Sequence, residues 1–130
     1  MHAILLAFPV ALFATAVLTD LAYLNTAEIQ WSNFSAWLIA AGLFGGGLTV
    51  IWAIVSVVRS GRTARQGRPV VYLLVLGAMW IVGFVNALVH SRDAWHAVTW
   101  IGMVLSITAA LLAMVAAWIF HSGPPQVEQI

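Results

Sequence analysis

The chain is predicted to be all-α: an integral membrane bundle of four helices running up and down, with both termini in the cytoplasm. Three observations lead there. Hydrophobic residues make up 63% of the 130 positions and charged residues only 7%, against about 25% in soluble domains. Mean hydropathy is +1.01. The apolar residues fall into four stretches near the length needed to cross a bilayer, about 20 residues, and four of the five arginines lie in one of the joints between them.

The first span covers Ala3–Tyr23, with Pro9 inside it. Proline is tolerated in a membrane helix when neighbouring groups re-satisfy the freed backbone. The run has no basic segment before it and exceeds the about 7–15 apolar residues of a secretory signal, so it reads as a retained span. The second is Phe34–Val58, with Ser32 or Asn33 as its N-cap. The third is Pro69–Val89, where Pro69 suits the first helical turn. The fourth runs over Asp93–Phe120, capped by Asp93 and stopped by Gly123-Pro124-Pro125. One transmembrane domain thus occupies residues 1–122, and 123–130 form a short cytoplasmic tail.

Arginine is retained on the cytoplasmic side of inner membranes. Arg59, Arg62, Arg65 and Arg68 therefore place the second connection inside, where each can also meet an anionic lipid headgroup. Alternation puts both termini inside, and Leu24–Asn33 and His90–Arg92 outside. Trp31, Trp95 and Trp100 then mark the outer interface, with Trp52 and Trp118 nearer the inner one. Short connections make sequential helices antiparallel neighbours. Gly42 and Gly46, widened by Gly45 and Gly47, are expected to pack closely against Gly83 and Ala87.

Few polar groups are available for chemistry. Cysteine is absent, which excludes disulfides, thiolate metal sites and c-type haem attachment. Asp20 is the principal intramembrane ionisable residue, a class expensive enough to suggest function. The topology brings it to the same membrane face as Asn86, His90, Arg92, Asp93 and His96. Two histidines with carboxylates can bind a divalent ion, but this spacing matches no metal motif. Capping by Asp93, and pairing of Arg92 with Asp20 or a headgroup, account for the cluster without one, so no metal site is assigned. Asn86 is positioned to hydrogen-bond across the bundle. His2 and His121 fall at the inner ends of the first and fourth spans, where a bis-histidine b-haem is conceivable. It is disfavoured because haem ligands usually sit deeper. No catalytic set of residues and no phosphate loop is present. The basic cluster lacks the aromatic platform and fold of a nucleic-acid binder.

The ordered segments resemble a bacterial membrane family catalogued as domain of unknown function 2231. His2-Ala3-Ile4-Leu5-Leu6-Ala7-Phe8-Pro9-Val10-Ala11-Leu12 is similar to its "HPxLVHFPIAL" opening. Thr19-Asp20-Leu21-Ala22-Tyr23 resembles "TDLAY", and Trp31 to Leu38 resembles "WANFSAWLL". Ala41-Gly42-Leu43 resembles "AGL", Asn86 to Trp95 "NALVHSRDAW", and Gly102 to Ser106 "GLxLS". The resemblance implies a four-span protein of the bacterial inner membrane, with no established activity. Relatives fused to redox domains suggest electron transfer. This chain departs from the pattern where a cofactor would be held: Ala7 replaces a histidine, Trp52-Ala53-Ile54-Val55-Ser56 lacks the aspartate, and no histidine opens the third span near Pro69.

The expected role is a non-enzymatic membrane subunit or scaffold that binds lipid and either itself or a larger complex. The alternatives are a redox protein carrying b-haem or quinone, and a small-solute transporter using Asp20 and Asn86.

Overall fold

The computed structural model describes residues 1–59, 67–92 and 98–123. They form four helices: α1 (His2–Thr26), α2 (Ile29–Arg59), α3 (Arg68–His90) and α4 (Trp100–His121). The shortest has 22 residues, which at the α-helical rise is about 33 Å, enough to cross a hydrocarbon layer of about 30 Å. All four are long and apolar enough to span a membrane.

Each helix buries one stripe and exposes apolar residues around the rest, as expected when lipid rather than water surrounds the bundle. On α1 the stripe is Leu6, Pro9, Phe13, Ala16 and the Thr19-Asp20 pair. On α3 it is Tyr72, Leu76, Met79, Gly83, Asn86 and His90, alternating steps of four and three. That period keeps one face toward neighbours in a left-handed bundle. On α4 the stripe is mostly small: Gly102, Ser106, Ala109, Ala110, Ala113 and Ala116. Trp37, Phe44, Trp100 and Trp118 point outward.

The helices pack in a closed ring in which α1 touches α2 and α4, and α3 touches the same two. One end of the ring carries His2, Trp52, Tyr72 and Phe120, whose rings meet; it is called here the arginine end, because Arg59 and Arg68 also lie there. The other, the aspartate end, brings Asp20, His90 and Ser106 together.

Packing around the α2 glycines differs from the expected contact with Gly83 and Ala87. A Cβ on Gly42 would lie 2.8 Å from the Phe13 ring, and one on Gly83 would lie 3.0 Å from the same ring. A Cβ on Gly45 would lie 2.7 Å from Cβ of Phe8. Gly42, Gly45 and Gly83 thus hold aromatic side chains of α1 instead of a bare backbone, while Gly46 and Gly47 face Met79 and Trp80 of α3.

Two helix starts also differ. Helix α1 closes on Ala27, in a left-handed conformation with φ 54° and its N–H on the Tyr23 carbonyl. Only Ala27 and Glu28 separate it from α2. Ser32 is therefore inside α2 and buried, rather than capping it. Helix α4 starts at Trp100, and Thr99 is its cap, its hydroxyl accepting from the Gly102 N–H. The expected cap, Asp93, lies outside the described residues.

Candidate functional site

Four side chains from three helices meet at the aspartate end. Asp20 comes from α1, one turn and a half before its close. Asn86 and His90 come from α3, four residues apart and so on one face. Ser106 comes from the small-residue stripe of α4. Taken as whole residues, Asp20 and Asn86 are 0% exposed, Ser106 1% and His90 6%. Buried polar groups are costly in hydrocarbon unless they bond each other, and these do.

The Asp20 carboxylate is held from both sides. Its Oδ1 lies 3.0 Å from His90 Nε2. Its Oδ2 accepts a hydrogen bond from the Ser106 hydroxyl at 2.5 Å. Ser106 Oγ in turn accepts from Asn86 Nδ2 at 2.8 Å. The other imidazole nitrogen, His90 Nδ1, donates to the Asn86 main-chain carbonyl at 3.0 Å. The four residues thus close a ring of bonds, in which Asn86 takes part twice. Within this ring, Asn86 Oδ1 is buried with no partner.

Neighbouring groups complete the setting. Thr19, next to Asp20, shares a 2.5 Å hydrogen bond with Ser35 and so ties α1 to α2. Gly102 faces the imidazole: a Cβ there would stand 3.2 Å from His90 Cε1. A larger residue would crowd the ring away from Asp20.

Of the residues expected at this face, the structure brings Asp20, Asn86 and His90 together. Arg92 is exposed and is not the partner of Asp20, whose oxygens go to His90 and Ser106. An imidazole bonds a buried carboxylate at lower desolvation cost than a guanidinium that must stay charged. Asp93 and His96 lie outside the described residues. No group of three histidine or acidic residues able to hold a metal occurs among the described residues. Ser106 and Gly102 were not among the residues singled out for chemistry. Their signal was the small-residue stripe of α4, on which both lie.

At the arginine end, His2 Nε2 lies 2.6 Å from the Tyr72 hydroxyl. Phe120 touches both His2, at 4.9 Å between ring centres, and His121, at 5.0 Å. His2 and His121 thus both stand against Phe120, and the His2 Nε2 atom is taken by Tyr72. Arg68 Nε donates to the Ile119 carbonyl at 3.2 Å, where a cation favours the carbonyl-rich end of α4. Arg59 is exposed, and Arg62 and Arg65 lie outside the described residues.

An apolar sheath of spanning length around an internally bonded polar cluster defines a class: polytopic α-helical membrane proteins with a polar site between their spans. Within that class the chain belongs to the family described as "Predicted membrane protein (DUF2231)", whose pattern matches residues 1–120. No curated protein and no solved structure matches it.

Proposed function

We propose that this chain is a non-enzymatic subunit or scaffold of an assembly in the bacterial inner membrane, with both termini in the cytoplasm. The observation that supports it is where the polar groups go. Asp20, Asn86, Ser106 and His90 bond within the ring. Thr15 and Thr108 turn their hydroxyls onto their own helices, bonding the Ala11 and Val104 carbonyls. What is left toward the outside is a surface of large apolar side chains, with Trp37, Phe44, Trp100 and Trp118 each more than 70% exposed.

Such a surface packs against lipid or against further spans by shape and van der Waals contact. The interior hydrogen bonds hold the helices in one arrangement and so keep that shape constant. The redox alternative draws less support, since the Nε2 atoms of His2 and His90 already engage Tyr72 and Asp20.

A photo-crosslinking residue placed at Trp37, Phe44 or Leu111, one at a time, tests the reading in native membranes. The expected result is a discrete higher-mass adduct from at least one helix face. Lipid adducts alone at all three positions, with a monomer on native gels, would overturn it.

A further inference from the structure

We propose that Asp20 and His90 form a one-proton pair: a buried acid–base site that holds a single proton and passes it between carboxylate and imidazole without changing its net charge. It stands independently of the assembly role.

The argument starts from the partners of the imidazole. His90 Nδ1 faces a main-chain carbonyl 3.0 Å away. A carbonyl only accepts, so Nδ1 carries a hydrogen. Nε2 faces a carboxyl oxygen at 3.0 Å. That contact needs one hydrogen between the two atoms, and it has room for only one. If the hydrogen is on Nε2, His90 is an imidazolium and Asp20 a carboxylate. If it is on Oδ1, His90 is a neutral imidazole and Asp20 a carboxylic acid. In passing from the second form to the first, the Oδ1–H bond breaks as the Nε2–H bond forms. No electron is gained or lost, and the pair is neutral in both forms.

Burial then decides the count. Both side chains are 0% exposed. Removing the shared proton to solvent leaves a lone carboxylate in the membrane interior; adding another leaves a lone imidazolium there. Either charge without a partner costs several kcal/mol. The neutral stoichiometry is kept while the proton moves within it.

The surroundings fit this role. Within α2 the titratable side chain is Arg59, and within α4 it is His121, both at the arginine end. Helix α1 adds Tyr23 one turn beyond Asp20, and α3 is followed by the exposed Arg92. Ser106 and Asn86 keep their bonds wherever the proton sits, because Oδ2 carries no hydrogen in either form. With Asp20 ionised, Asn86 Nδ2 donates to Ser106, which donates to Oδ2. With the hydrogen on Oδ1, Oδ2 is the carbonyl oxygen of the acid and accepts the same bond from Ser106. His90 is the last residue of α3, with the exposed Ser91 next, which sets the pair beside an interface from which a proton can come.

Nitrogen-15 NMR of histidine-labelled protein in lipid bilayers reads this directly, with His90 assigned by its loss in His90→Gln, or by elimination in His2→Gln, His96→Gln and His121→Gln. The expected wild-type signals are a protonated Nδ1 and an Nε2 strongly shifted by the shared hydrogen, both unchanged between about pH 5 and pH 8, the range over which a solvated histidine titrates. In Asp20→Asn the amide donates to Nε2, so His90 is expected as the neutral form bearing its hydrogen on Nδ1. A bare Nδ1 with Nε2–H, or a His90 signal that titrates through that range in the wild type, would overturn the proposal. The wild-type pH series decides even if a variant does not fold.

Discussion

Replacing Gly42 by alanine should destabilise the bundle although it adds one methyl group to a helix. The new Cβ would lie 2.8 Å from Cε1, 3.0 Å from Cδ1 and 3.3 Å from Cζ of Phe13. The closest of these is about 0.6 Å inside the onset of ordinary contact at 3.4 Å. The ring has little room to give way. It is 1% exposed, and Gly83 supports its other side, its own built Cβ 3.0 Å from Phe13 Cζ. Overpacking of a well-filled interior costs about 1–3 kcal/mol, more than the up to about 1 kcal/mol by which alanine exceeds glycine as a helix former in water. Gly77→Ala is the control, because a Cβ there meets nothing within 4 Å. Equilibrium unfolding in mixed micelles with rising denaturing detergent, followed by tryptophan fluorescence and circular dichroism, measures both. Gly42→Ala should lose about 1–2 kcal/mol, with Gly77→Ala unchanged or slightly stabilised. Phe13→Leu should recover part of the loss, giving a coupling of at least about 0.5 kcal/mol in the double-mutant cycle. Equal stabilities for the two alanine variants, or strict additivity with Phe13→Leu, would refute the reasoning.

Two further outcomes follow from the same structure. Asp20→Ala removes two interhelical bonds, to His90 and Ser106; at about 0.6–1.7 kcal/mol each in a membrane it should lose about 1–3 kcal/mol in the same unfolding assay, whereas Asp20→Asn, which can make both, should stay within about 1 kcal/mol of wild type. Because the chain lacks cysteine, single substitutions report its orientation cleanly: in intact cells an impermeant thiol reagent should label Asn25→Cys and spare Ser60→Cys, and the reverse pattern would overturn the arginine-based assignment.

The apolar stretches and the placement of the charges were enough, read alone, to specify four membrane-spanning helices, because the cost of unsatisfied backbone in hydrocarbon leaves a long apolar segment almost no alternative to a helix. The same reading marked Asp20, Asn86 and His90, since polar atoms stand out against such a background. Which of them would bond was not legible. That depended on the rotation of each helix about its axis and on which helices share a face, and those were decided by packing: the Phe13 ring between Gly42 and Gly83, and the small side chains of α4 facing α1 and α3. Only then did Ser106, unremarkable in sequence, become the second support of the carboxylate, and Arg92 lose Asp20 to the nearer imidazole. Local composition determines whether a segment enters the membrane; the match of shapes between segments determines which atoms meet there, and it is a property of no single segment.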